Sequence, residues 1–234
     1  MTFPPEVMRE HIFPIQAQMQ EKFRQVPPEG KTIEYLGKEF IVYPEVFWPH
    51  EDSKAIVKNY AINPGDEVAD VCTGSGVIAC FSGFYGAKKV VGLDISPNAI
   101  RAATENFRRH GLEGVAEARL SDVFSALKPG EQFDVVTMNP PFTLHDANDY
   151  AAKTIWDAGL HVQNEFFANL DKVLKLHSDA RAYVAQASFG SVEAMLEKAD
   201  AYGFVARKIG ENPVAPPYRI FYAYELKRKN EVKK

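Results

Sequence analysis

The chain has 234 residues, 46% of them hydrophobic, and its 27 Lys and Arg against 31 Asp and Glu give a formal net charge of −4. That length suits one α/β domain with a buried core plus a small extension, and the acidic balance argues against a dedicated nucleic-acid binder, which carries a basic stripe. No apolar run approaches a membrane span, the start Met1-Thr2-Phe3-Pro4-Pro5 lacks a secretory signal, and Cys72 and Cys80 make neither a disulfide framework nor a metal site, so a cytoplasmic, metal-free protein is expected.

Residues 6–25 place Val7, Ile12, Ile15, Met19 and Phe23 on roughly one face of a predicted helix, which Pro27-Pro28-Glu29-Gly30 breaks. Strands 32–36 and 40–43 bracket Gly37-Lys38 as a hairpin. Asp52 or Ser53 then caps a helix running through Ile56 to Tyr60. From Pro64-Gly65 onward the alternation is regular: strand 68–71, helix 77–85, strand 89–93, helix 98–110, and strands 116–120 and 133–138. Helix 165–176, strand 181–187 and helix 192–202 follow, then strands 204–209 and 218–226 with no helix between them. This order predicts a doubly wound, mostly parallel sheet with right-handed crossovers and one antiparallel member. Residues 1–60 form an extension, 61–226 the α/β domain, and 227–234 a solvated basic tail.

Asp70-Val71-Cys72-Thr73-Gly74-Ser75-Gly76 joins the first strand of that array to its helix. Gly74 and Gly76 allow a tight turn and close approach of a ligand to the backbone. Asp94, followed by Ile95, ends the second strand, where a carboxylate accepts from the hydroxyls of a ribose. Asp122-Val123 closes the third, where an adenine amino group needs an acceptor. A nicotinamide dinucleotide and S-adenosylmethionine both fit this outline. Asp70 separates them, because an acid before the glycines repels a pyrophosphate and suits a ligand that carries an ammonium group. The candidate cofactor-binding residues are therefore Asp70, Thr73, Gly74, Gly76, Asp94, Ile95, Asp122, Val123 and Asn139.

The run 133–138 delivers Asn139-Pro140-Pro141-Phe142 at the tip of a buried strand. The prolines fix φ and lack an N–H, so backbone carbonyls here are free acceptors on a stiff loop. Asn139 adds a side-chain carbonyl and Phe142 a flat apolar face. Together they suit a planar –NH2 group, and Asn139, Pro140, Pro141 and Phe142 are the candidate catalytic residues.

These residues resemble class I methyltransferases, and within them the small-domain group that contains the release-factor glutamine methyltransferases. The group's Asp-x-Gly-Thr-Gly-Ser-Gly is matched over 70–76 except at Cys72, and its Asn-Pro-Pro-Tyr over 139–142 with Phe142 in the last place. Its hairpin and Pro-Arg-Pro-Glu-Thr peptide correspond to 49–53, where His50 and Glu51 depart from the pattern, and the resemblance runs from about Ile33 to Leu226. That group also carries a helical substrate domain ahead of the hairpin, where this chain has about thirty residues. The resemblance implies a seven-stranded Rossmann-like methyltransferase sheet, S-adenosyl-L-methionine as cofactor, and methyl transfer to an amide or amine nitrogen of a protein or small molecule. Trp48, His50 and Phe142 are then the substrate-facing residues, and Phe47 and Trp156 are further aromatics near the site that suit the wall of a closed pocket or stacking on a flipped base. Adenine amino methyltransferases of RNA and DNA share the Asn-Pro-Pro-aromatic motif and supply the competing reading. A non-catalytic S-adenosylmethionine-binding module and a nicotinamide-dependent oxidoreductase are further alternatives.

Overall fold

A computed structural model describes residues 3–214 and 219–231. The chain opens with a helical turn, α1 (Pro5–Val7), a π-helical turn (Met8–Ile12) and α2 (Phe13–Arg24). Pro14 has no N–H to return to the preceding turn, which fits a change of helical register at that point. The hairpin β1 (Lys31–Tyr35) and β2 (Lys38–Val42) is antiparallel, and α3 (Glu51–Val57) follows it.

The α/β array comprises β3 (Glu67–Val71), α4 (Val77–Phe84), β4 (Lys89–Asp94), α5 (Pro97–Arg109), β5 (Ala116–Leu120) and β6 (Val135–Met138). After it come α6 (Tyr150–Lys153), a 3-10 turn (Ala158–Leu160), α7 (His161–Val173), β7 (Arg181–Ala187), α8 (Val192–Ala201), β8 (Phe204–Val214) and β9 (Arg219–Arg228). The seven-stranded sheet has the order β5-β4-β3-β6-β7-β9-β8, and β9 runs antiparallel to both neighbours.

Strand residues alternate between the two faces. Val68, Val90, Val135 and Tyr183 pack with α4 and α5, whereas Ala69, Val91, Val136 and Val184 pack with α7 and α8. A parallel sheet covered on both faces needs such near-continuous apolar strands. Its winding reverses between β3 and β6, and open α/β sheets bind ligands at that kind of switch point.

Several boundaries differ from the sequence expectation. The 52–60 helix begins at Glu51 with His50 at its N-cap and ends at Val57, so Asp52 and Ser53 lie in its first turn rather than capping it. Helix α7 starts at His161, ahead of the expected 165. Strand β8 continues past 209 to Val214, with a register shift between Lys208 and Gly210. As an edge strand it tolerates Pro213, whose missing N–H leaves no ladder bond broken on the open side. The closing strand was expected from residue 218, which lies outside the described residues. Arg228 belongs to β9 rather than to a tail: it is 6% exposed, and its guanidinium donates to Asp171 Oδ1 and to the carbonyls of Asp171, Leu174 and Lys175. Those carbonyls end α7, where helix acceptors lack intrahelical partners. Residues 232–234 of the expected tail lie outside the described residues. Among the described residues, no helix is long and apolar enough to cross a membrane.

Candidate active site

The tips of β3, β4 and β6 open into a cavity of about 400 Å³ that runs from Asp94 and Asp122 at one end to Asn139, Pro140 and Pro141 at the other. That is ample for a drug-sized ligand. Three non-glycine residues with left-handed φ line it: Glu45 (61°), Cys72 (58°) and Val123 (50°). Such backbone costs of order 1–3 kcal/mol each and clusters at functional sites. At Cys72 the family pattern has glycine, which adopts that φ without strain.

The glycine turn is built on Asp70. Its carboxylate is 1% exposed and accepts from Thr73 Oγ1 at 2.7 Å and Thr137 Oγ1 at 2.6 Å. Burial pushes this carboxyl up to about 6. Asp70 is buried and does not line the cavity, so the expectation that it meets a ligand's ammonium group is corrected: it braces the turn from beneath. Thr73 also fits against Gly92, where a Cβ would lie 2.9 Å from Thr73 Oγ1. Gly74 stands in open space with φ of 54° and lines the cavity. Gly76 is instead the N-cap of α4, packed against Ala103 and Phe107 behind the wall.

Asp94 lines the cavity with each carboxylate oxygen steadied by one backbone N–H: Gly74 to Oδ2 and Ser96 to Oδ1, both at 2.9 Å. Burial raises its pKa. Each oxygen retains acceptor capacity, as a pair of ribose hydroxyls requires. Ile95, Asp122 and Val123 line the same end. Both Asp122 oxygens lie 3.0 Å from His161 Nε2, within hydrogen-bond distance. His161 also lines the cavity and carried no local sequence signal.

At the other end, Asn139 Nδ2 donates to Asp52 Oδ2 at 3.2 Å and to Ser53 Oγ at 3.3 Å. These acceptors set the orientation of the amide and leave Asn139 Oδ1 buried without a partner among the described residues. Asp52 is 2% exposed, and its other oxygen accepts from Ser53 N at 2.6 Å. Burial raises the Asp52 pKa, and the neighbouring His50 opposes that rise. The hairpin secures this corner, since Tyr35 Oη donates to the His50 carbonyl at 2.9 Å. Asn212 of β8 donates to the Glu51 carboxylate from the other side.

The expected substrate-facing aromatics are placed differently. Phe142 is 6% exposed and does not line the cavity; its ring joins the core beside Phe189 and Phe221, 6.2 Å from the latter. Trp48 packs on Phe23 and Ile155, with Lys22 Nζ 4.0 Å over its ring, and His50 lies behind Pro49 outside the cavity lining. In each case the apolar ring gains more by burial among its neighbours than by facing an open cleft. Phe47, Tyr150 and Trp156 line the cavity instead.

A fit test for S-adenosylmethionine follows from these groups. A turn opened at Gly74, where a Cβ would meet nothing within 4 Å, a paired-hydroxyl acceptor at Asp94 and the Asp122–His161 couple suit an adenosine, and the free Asn139 oxygen marks where a reacting group sits. The residues present fit the cofactor.

The family model described as "Methyltransferase small domain" matches residues 48–202, and the chain belongs to that family. The release factor glutamine methyltransferase of Koribacter versatilis is 35% identical over 133 residues, covering 55% of this chain and 47% of that protein. The ribosomal protein uL3 glutamine methyltransferase of Xanthomonas campestris pv. campestris is 35% identical over 121 residues, covering 50% of this chain and 38% of that protein. The chain thus spans under half the length of these curated relatives. Among solved structures, the ribosomal protein L11 methylase of Lactobacillus delbrueckii subsp. bulgaricus superposes with a TM-score of 0.57 at 20% identity, covering 80% of this chain and 84% of that one. This likeness confirms the Rossmann-like methyltransferase fold.

Proposed function

We propose that the chain transfers a methyl group from S-adenosyl-L-methionine to a planar amide nitrogen of a protein acceptor. A glutamine side chain is the amide favoured by the named activities of its sequence relatives. One observation carries the reading: Asn139 Nδ2 is engaged by Asp52 and Ser53, which leaves a buried Oδ1 free to accept an N–H.

Bound S-adenosylmethionine supplies an electrophilic methyl on its sulfonium. In this reading Asp94 holds the ribose hydroxyls, the turn 73–76 cradles the cofactor backbone, and Asp122 with His161 recognises the base. An amide nitrogen is a poor nucleophile because its lone pair is delocalised. Asn139 Oδ1 and the Pro140 carbonyl accept the two N–H groups, which would orient the nitrogen and favour charge building on it during attack; the nitrogen would gain the methyl as the sulfur–methyl bond breaks, and one N–H proton would be released to water. Residues 61–226 hold both ligands in this proposal, and residues 1–60 complete the acceptor end. A cytoplasmic site of action belongs to the same proposal.

Phe47, Tyr150 and Trp156 along the cavity also suit a flipped base, the one observation that favours an adenine acceptor. Incubation with methyl-labelled S-adenosylmethionine and a cell extract, split into protein, RNA and small-molecule fractions, separates the readings. Label in protein, recovered as a methylated glutamine and abolished by Asn139→Ala without loss of S-adenosylhomocysteine binding, is the expected result. Label in RNA that falls steeply with salt selects the adenine reading instead.

A further inference from the structure

The acceptor end has an aromatic wall that the Asn-Pro-Pro-Phe motif does not supply. Phe142 is turned into the core, where even a Cβ at Gly190 would stand 2.8 Å from it. Trp156 lines the cavity together with Asn139, Pro140 and Pro141. Its backbone is pinned beside the motif by a parallel bridge to Thr143, with Asp157 N donating to the Thr143 carbonyl at 2.8 Å.

The indole is fixed from the N-terminal helix. Trp156 Nε1 donates to Gln16 Oε1 at 2.9 Å, and Gln16 Nε2 donates to Thr143 Oγ1 at 2.7 Å. Gln16 is 4% exposed, and with both ends of its amide engaged it has one satisfied orientation. The His145 ring lies against the indole at 4.2 Å and 31°, and Phe13 meets His145 edge-on at 5.2 Å. Arg24 of α2 adds an ion pair to Asp149 at 2.9 Å on the same loop. The indole N–H is therefore unavailable to a ligand, and the part of the ring left to the cavity is apolar and flat.

We propose that Trp156 is the specificity-determining wall of the acceptor subsite, the flat face against which the planar nitrogen group rests, and that α2 orients it through Gln16. This inference rests on the amide-acceptor reading above. It assigns the N-terminal helix a part in acceptor recognition and removes Phe142 from that role.

Of the two tryptophans in the chain, Trp48→Phe leaves Trp156 as the sole indole reporter. N-acetylglutamine methylamide is titrated into this variant saturated with S-adenosylhomocysteine, with emission and calorimetry read in parallel and adenosine as the comparison titrant. A saturable change in Trp156 emission with the carboxamide, weakened about tenfold by Gln16→Ala while S-adenosylhomocysteine affinity is unchanged, is the expected result. In the wild-type background, Trp156→Phe keeps a flat ring but loses the bond to Gln16, so the acceptor KM rises no more than the roughly tenfold of Gln16→Ala, whereas Trp156→Leu, which loses the flat face as well, raises it beyond that. Carboxamide binding seen by calorimetry with silent emission and no effect of Gln16→Ala overturns the wall and leaves the amide reading standing. No carboxamide binding at all, or a response to adenosine alone, overturns both.

Discussion

In an Asp52→Asn variant, the carboxylate that accepts from Asn139 Nδ2 at 3.2 Å becomes an amide of the same shape. A charge-assisted hydrogen bond contributes about 1.5–3 kcal/mol. Ser53 Oγ remains at 3.3 Å as a second acceptor, so the orienting bias on Asn139 falls by less than the full amount. About 1–2 kcal/mol of lost positioning corresponds to a drop of about 5- to 30-fold in kcat. S-adenosylhomocysteine affinity is expected to stay within a factor of about two, because its groups hang on Asp94 and the glycine turn. The pH profile supplies a second readout. Burial raises the Asp52 pKa, and the ionised form is the working acceptor, so wild-type kcat declines as pH falls through that raised value. The variant has nothing to titrate there and lacks the acid limb. Steady-state methyl transfer into the protein fraction between pH 5 and 8, with calorimetry alongside, makes the measurement. Unchanged kcat with an intact acid limb, or cofactor affinity falling in step with kcat, would refute the positioning argument.

Three further outcomes are expected. Asp94→Ala removes charge-assisted bonds of about 1.5–3 kcal/mol, lowering S-adenosylhomocysteine affinity about ten- to a hundredfold by calorimetry. Gly92→Ala drives a Cβ to 2.9 Å from Thr73 Oγ1 and is expected to cost about 1–3 kcal/mol in chemical denaturation while weakening cofactor binding. Asp70, pushed up to about 6, binds its proton more tightly folded than unfolded, so its contribution is complete below about pH 4 and is lost as pH rises through 6. About two pKa units amount to roughly 3 kcal/mol, and Asp70→Asn is expected to remove that slope from stability measured between pH 4 and 7.

Strand and helix runs from 67 to 201 were legible because their burial on two faces writes continuous apolar segments into the sequence. The placement of Asp94 and Asn139 at strand tips that line the cavity was legible too, since ligands sit at such tips in this topology. Asp52 and Ser53 were visible but misread as caps: the acceptor role depends on Asn139, 87 and 86 residues away, which no local pattern encodes. Gln16 and Trp156 likewise meet across 140 residues. The motif position of Phe142 suggested exposure to substrate, and only the packing of Phe189 and Phe221 reveals that the ring turns inward. The strand expected over 204–209 is carried through Gly210 and Pro213 to Val214 by pairing with β9, which no local pattern encodes. Arg228 sat among lysines that resembled a tail, and its burial is set by the carbonyls at the end of α7.

The two ends of the cavity differ in how much chain must be made before each can close. The cofactor turn is tied by contacts 3, 20 and 67 residues apart, Thr73 to Asp70, Gly74 to Asp94 and Thr137 to Asp70. The acceptor wall is tied by contacts 127, 140 and 125 residues apart, through Gln16 to Thr143, Trp156 to Gln16 and Arg24 to Asp149. Long-range contacts bear a loop-closure entropy before any is rewarded, so they form after the local ones. During synthesis α2 finds Val42, Phe47 and Trp48 for its Phe23 soon after it is made, but Gln16 and Arg24 have no partners until residues 143–156 follow. The contacts at the glycine turn therefore close ahead of those at the Trp156 wall, and α2 completes its own only after residues 143–156 are in place.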